Sequence, residues 1–300
     1  MDGLLVIDKP PGITSHDVVA RLRRILKTKR IGHTGTLDPF ATGVLVMLIG
    51  KATRLARFLD KDEKEYEATI RFGSETDTGD LEGVRISDFG PRNEELAEMI
   101  ANTDWDNLFK EFRGEFWQTP PMYSAKKREG KKLYELARKG EEVERDPLKV
   151  RILELERLES AIRNPQSEIR IRVVCSAGTY IRTLGQDIGR RIGTGAHLTE
   201  LRRTRAGRFD ISESISLDQW ENLADPSLSV LPMGMAIEHL PKFVVSNDRI
   251  EKTRSGLSTE TDEFFGDARP IQMRDESDNL IAIGNYRQSD KSIQPEIVLI

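Results

Sequence analysis

Residues 30–43, RIGHTGTLDPFATG, hold one carboxylate, Asp38, among three glycines, three threonines and a histidine. The apolar run VLVMLI follows at once. A carboxylate on a loop anchored by a buried strand can serve as a nucleophile or a base. It can equally be a turn residue capping the backbone ahead of Pro39. A second segment, CSAGTYIR at residues 175–182, sets Tyr180 and Arg182 where a strand gives way to a helix. If Arg182 faces Asp38, the pair holds the carboxylate charged and aimed. A free aspartate, with a pKa of about 3.9, is already ionised at neutral pH, so the arginine mainly orients it and offsets its burial. The competing readings are a helix-terminal charge for Arg182 and a core aromatic for Tyr180.

Other chemistries find less support. LIGKAT at residues 48–53 is the nearest approach to a phosphate-binding loop, but alanine follows its lysine and the earlier glycine is mis-spaced. G-x-G-x-x-G does not occur. Cys175 is the only cysteine, so no internal disulfide and no cysteine-based metal site can form. His16, His33, His197 and His239 are scattered without metal-ligand spacing. A zinc site, nucleotide hydrolysis and dinucleotide binding are therefore all weakly supported.

The elements that must position these residues can be read from periodicity. GLLVID at 3–8 reads as a buried strand, KPPG as a turn, and a helix follows with Ser15 as N-cap and Val18, Val19, Leu22, Ile25 and Leu26 on one face. YEATIRF at 66–72 alternates, with Tyr66, Ala68, Ile70 and Phe72 on one side. Residues 92–112 read as one helix, and LYELARKG as a short helix ending at Gly140. Ile169, Ile171 and Val173 alternate into the strand that precedes Tyr180. Strands and helices mix without a regular βαβ period, so the class is α+β with a mixed, mostly antiparallel sheet. Beyond residue 240 the pattern changes to short strands, FVVS, RPIQMRD, LIAIGNY and EIVLI, which suggest a small β-barrel. The expected division is 1–240 and 241–300.

Charged residues make up 32% of the chain, yet the net charge is only −4. Arginines and lysines cluster at 21–30, 126–132 and 202–208, which suggests local contacts with an anionic partner; solvated faces are the alternative. The last sixty residues are net acidic, with eleven acids to eight bases. Asp2 and Asp8 interrupt the start, so no signal peptide is expected. The apolar run at 44–49 falls far short of a membrane span. A soluble, cytoplasmic protein is expected.

GHTGTLDPFATGVL resembles the catalytic signature of the TruB family of pseudouridine synthases. LLVIDKPPGITSHDVV is similar to the family's opening segment, and KEYEATIRFGSETDTGDLEG to its tyrosine motif. QTPPMYSAKKREGKKLYELARKG resembles its tRNA-gripping insertion, here about 118–146. CSAGTYIRTLGQDIGRRIGTGAHLTELRRTRAGRF resembles its late motif. These five segments cover most of residues 3–212 in the family's order. The last sixty residues resemble a PUA domain more loosely.

The resemblance implies isomerisation of uridine 55 in the T-loop of tRNA, with no cofactor, no metal and no obligate protein partner, by a monomer. It implies Asp38 as nucleophile or base, Tyr66 stacking on the target base, and Tyr180 and Arg182 as the late-motif pair. It further implies Leu201 closing the uracil pocket, His33 contacting bases displaced from the T-loop, and Asp80 as a supporting acid. Lys126, Lys127 and Lys131 would hold the T-arm backbone, and residues 202–208 would lie near the pocket. Phe40 stands where the family often has leucine. Two other readings remain: a guide-RNA-dependent, dyskerin-type synthase, and a non-catalytic tRNA-binding or folding protein.

Overall fold

The computed structural model describes residues 1–88, 93–124, 126–128, 131–137, 140–141, 143–159, 167–266 and 270–300. One large mixed sheet runs through the molecule. From one edge to the other its strands are Ile215–Ser216, Gly3–Lys9, Thr42–Ile49, Ala196–Ala206, Lys64–Phe72, Glu168–Cys175, Leu148–Leu158 and Gly114–Gln118. Ile215–Ser216 with Gly3–Lys9, and Thr42–Ile49 with Ala196–Ala206, pair in parallel. The other pairings are antiparallel, as expected for the class.

Residues 4–7 and 44–49, within Gly3–Lys9 and Thr42–Ile49, are apolar throughout because both faces of the sheet are covered there. Leu5, Ile7, Leu45 and Met47 pack into one core with Val18, Val19 and Leu22 of the helix Ser15–Ile25. Leu4, Val6, Val46 and Leu48 point the other way, into a second core shared with Leu280, Ile283, Ile297 and Leu299. Lys64–Phe72 has one wet face and so alternates. Ala68, Ile70 and Phe72 are buried, while on the other face Glu65 pairs with Arg172 at 2.8 Å, Glu67 with Arg170, and Arg71 with Glu168. Such cross-strand pairs are worth only tenths of a kcal/mol to about 1 kcal/mol each, so they favour the register more than the stability.

Two element boundaries differ from the periodicity reading. Thr14, not Ser15, caps the first helix: its Oγ1 accepts from Asp17 N at 3.1 Å, and Asp17 returns a bond from Thr14 N at 2.8 Å. The stretch expected as one helix at 92–112 is two, Asn93–Asn102 and Trp105–Phe112. Asp104 caps the second by accepting from Asn107 N at 3.1 Å, and Thr103 bonds back to Met99 O. Short polar side chains that compete for backbone partners make the break.

Beyond residue 240 the strands Lys242–Val244, Pro270–Arg274, Leu280–Arg287, Ser292–Val298 and Thr259–Glu260 form a separate five-stranded sheet, in that order. It is compatible with a small PUA-like module. Among the described residues, no helix is long and apolar enough to cross a membrane.

Candidate active site

The loop that carries Asp38 is anchored on both sides of the carboxylate. Leu37 and Phe40 are buried in the core. Ser15 Oγ accepts from Leu37 N at 2.8 Å and donates to Leu37 O at 3.2 Å. The residue expected as a helix cap is therefore a clamp on the Asp38 loop. Gly12 N donates to Pro39 O at 2.9 Å, and the buried Lys9 Nζ donates to Pro10, Ile13 and Pro39 carbonyls at 2.8, 2.7 and 3.1 Å. Gly43 ends the loop with φ +101°; a Cβ there would lie 2.2 Å from Arg203 O, so the close parallel strand excludes any side chain.

Arg182 lies in the first turn of the helix Ile181–Arg191, directly after the strand Glu168–Cys175 and its turn. Its side chain is 3% exposed and its donors are engaged on several sides. Nε meets Asp38 Oδ2 at 2.9 Å and Nη2 meets Oδ1 at 3.0 Å, a bidentate pair. Nη2 also donates to Tyr123 O and Nη1 to Thr78 O, both at 2.7 Å. Asp80 Oδ2 lies 3.4 Å from Nη1, while its Oδ1 accepts from Thr78 Oγ1 at 2.7 Å and Glu82 N at 3.0 Å. Arg182 thus ties together the Asp38 loop, the loop around Asp80, and residue 123.

Asp38, Tyr66, Tyr180, Arg182 and Leu201 line one cavity of about 260 Å³. Tyr66 stands on Lys64–Phe72, in register with Arg203 and Val173 on the flanking strands. Tyr180 is fixed by Gln118, whose side chain accepts from Tyr180 N at 2.8 Å and donates to Tyr180 O at 3.0 Å. About a third of the Asp38 side chain, 32%, stays exposed. Burial raises the Asp38 carboxyl above its ordinary value, Arg182 opposes that, and the neighbouring charge of Asp80 adds to the rise. Burial also raises both phenols. Burial lowers Lys9 to about 8.

His33 does not line this cavity. It sits half-buried on the edge strand Ile31–His33, with Nδ1 buried and lacking a partner, and burial first, then the Arg203 charge, lowers it to about 4. It is therefore a neutral imidazole at physiological pH. Lys126 is half-buried with Nζ 3.4 Å from Asp146 O. Lys127 and Lys131 sit on a short hairpin, Lys127–Arg128 with Lys131–Lys132, and their side chains lie outside the described residues. Of the arginines at 202–208, Arg202 bonds Asp8 at 2.7 Å, Arg205 approaches Glu65 at 3.7 Å and Arg208 pairs with Glu238. Only Arg203 among them lines the cavity.

Sequence reading missed Lys9, Lys64, Gln118 and Ser124 as parts of the site, and placed Arg203 near the pocket only as one of a basic cluster. Lys9 stood in the KPPG turn and Arg203 inside a basic cluster, so both had a signal that their neighbours obscured. Gln118 and Ser124 had none, since their roles arise only where distant segments meet. Cys175 is buried, its thiol pushed up to about 12 by that burial, and so is inert.

Residues 23–181 match the family described as TruB family pseudouridylate synthase, N-terminal domain, and residues 182–233 match the tRNA pseudouridylate synthase B C-terminal domain. The chain is 41% identical over 289 residues to the tRNA pseudouridine synthase B of Solibacter usitatus, covering 95% of each. It is 44% identical over 261 residues to that of Geobacillus thermodenitrificans, covering 85% of each. Among solved structures it is similar to a chain of an H/ACA RNP bound to a substrate RNA containing 2′-deoxyuridine. There the TM-score is 0.67 and the identity 27%, over 99% of this chain and 85% of the other.

Proposed function

Because this chain belongs to the TruB family of pseudouridylate synthases, we propose that it converts uridine 55 in the T-loop of tRNA to pseudouridine, with Asp38 acting at the ribose. The observation that carries this reading is the bidentate Asp38–Arg182 pair at the wall of a cavity that also holds Tyr66.

The reaction breaks the N1–C1′ bond, turns the uracil and rejoins it through C5. It is an isomerisation, so electrons and atoms balance without an external reagent. The uridine must first leave its stack, at a cost of a few kcal/mol. Stacking on Tyr66 offsets this by roughly 1–3 kcal/mol. Arg182 opposes the effect of burial on Asp38 and fixes both its oxygens, so that one can attack C1′ or accept the C2′ proton. Tyr180 and Leu201 complete the walls, Asp80 steadies Arg182, and His33 offers a neutral ring to displaced bases. In this reading residues 1–240 are the catalytic domain, about 118–146 grip the T-arm through Lys126, Lys127 and Lys131, and 241–300 form a PUA-like domain. The enzyme works alone, as a monomer, in the cytoplasm.

The test is the purified chain with a bare T-arm hairpin, read by a pseudouridine-specific label at each position. Pseudouridine at the position equivalent to 55 is expected, and Asp38→Asn should abolish it with hairpin binding retained. Turnover of the Asn variant within tenfold of wild type would refute Asp38's role. The likeness to the H/ACA RNP chain supports a second reading, guide-RNA dependence; product only when a guide RNA and partner proteins are added would favour it. Binding without modification under every condition would mean a non-catalytic tRNA-binding protein.

A further inference from the structure

Once Arg182 is paired with Asp38, two more buried cations remain in the cavity wall. Lys64 and Arg203 line the same cavity and are 5% and 1% exposed. They come from adjacent antiparallel strands, with Arg203 opposite Tyr66 and Lys64 two residues before it. Both converge on Gly35, where a Cβ would lie 3.5 Å from Arg203 Nη1 and 3.9 Å from Lys64 Cε. Apart from a side-chain hydrogen bond between Arg203 and Tyr66, their hydrogen bonds go to carbonyls. Arg203 donates to Val44 O at 2.7 Å and Gly35 O at 3.1 Å, and Lys64 to Asp60 O at 3.0 Å and Asp62 O at 2.5 Å. Among the described residues neither forms an ion pair. Burial first, then the Arg203 charge, lowers Lys64, while the nearby Asp62 and Asp60 carboxyls, themselves raised by burial, oppose that.

Two like charges buried side by side are costly without a counter-charge. An anion that enters the cavity would meet both groups in its wall. A phosphodiester follows the RNA backbone along the surface, whereas Arg203 lies at full depth beside the residue proposed to stack on the base. We propose that Lys64 and Arg203 hold the uracil anion between bond cleavage and rejoining. This rests on the isomerase reading above. When N1–C1′ breaks, its electron pair goes to N1 and spreads onto O2 and O4. C1′ is then either bonded to an Asp38 oxygen or left in a C1′–C2′ double bond, with the C2′ proton on Asp38. After the ring turns, C5 gives an electron pair to C1′. The Asp38–C1′ bond breaks or the proton returns to C2′, C5 loses its proton to solvent, and N1 takes one up. Fixed cations aimed at the transient charge lower both barriers.

The experiment compares wild type, Lys64→Met, Arg203→Met and Arg203→Lys in single-turnover reactions at saturating enzyme. The substrates are T-arm hairpins carrying uridine or 5-fluorouridine at the target position, and the readout is loss of the intact nucleoside. The fluorinated ring is a better leaving anion and needs the cations less. Each Met variant should lose on the order of 10²-fold on uridine, with a clearly smaller loss on 5-fluorouridine and with partial rescue in Arg203→Lys. Equal losses on both substrates would overturn the proposal in favour of a structural role. Unchanged saturated rates with weaker, less salt-dependent hairpin binding would overturn it in favour of a phosphate contact. If Arg203→Met does not fold, Lys64→Met decides. A wild-type chain inactive on uridine would instead refute the isomerase reading itself.

Discussion

Burial raises the Asp38 carboxyl and Arg182 opposes that rise, and the balance has two measurable consequences. The first concerns pH. Protonation makes the carboxyl neutral and unable to act at the sugar. Because its folded-state pKa is raised, activity should fall as pH drops, starting above the ordinary aspartate range. A single-turnover series on the hairpin between about pH 8 and pH 4 checks this; a rate flat down to pH 4 would count against it. The second concerns the pair. Arg182→Met leaves a partly buried carboxylate without its partner and should cost roughly 3–5 kcal/mol in stability or turnover. The same change in an Asp38→Asn background should cost less, since the stranded charge is gone. Melting curves of both single variants and the double variant test it, and an equal cost in both backgrounds would mean the two side chains are not coupled.

Among the elements, the segment from 118 to 146 joins the cavity wall at its start and carries the proposed T-arm grip farther on. Gln118 and the Tyr123 carbonyl hold Tyr180 and Arg182, so the start of the segment belongs to the cavity wall. Farther on, its lysines are the ones proposed above to grip the T-arm. Replacing Lys126, Lys127 and Lys131 by glutamate should weaken hairpin binding and lower the log–log salt slope by roughly 0.7–0.9 per lost phosphate contact. The saturated single-turnover rate should hardly change, because none of the three is proposed to reach the uracil. A salt titration beside that rate separates the outcomes. An unchanged slope would mean solvated lysines, and a collapse of the saturated rate would mean that they help build the site.

The whole molecule has a shared core. Leu280, Ile283, Ile297 and Leu299 pack on Leu4, Val6, Val46 and Leu48 of the large sheet, and Arg57 pairs with Glu296 at 2.6 Å across the same contact. Burying each such aliphatic side chain contributes roughly 1.5–3 kcal/mol. The full chain should therefore unfold in one cooperative transition. A chain ending at residue 240 should melt markedly lower and bind hydrophobic dyes through the uncovered face. Calorimetry of both decides it; two separate transitions in the full chain, or an unchanged melting temperature in the shortened one, would contradict the shared core.

What the sequence determined is local or carried by type. Asp38 in its glycine-punctuated loop, Tyr66 on an alternating strand and Arg182 after a strand were all visible, since periodicity and turn chemistry act over a few residues. The α+β class followed from the same signals, and the five ordered segments pointed to the family. Only the tertiary structure decided what depends on meetings between distant residues. It turned Ser15 from a helix cap into a clamp on Leu37, 22 residues away. It brought Arg182 144 residues back to Asp38, and separated Arg203, buried in the cavity wall, from Arg202, Arg205 and Arg208, which face carboxylates. A run of arginines looks uniform in sequence because charge is a property of type. Burial and partners are properties of place, set by which strand lies alongside and which way each side chain points.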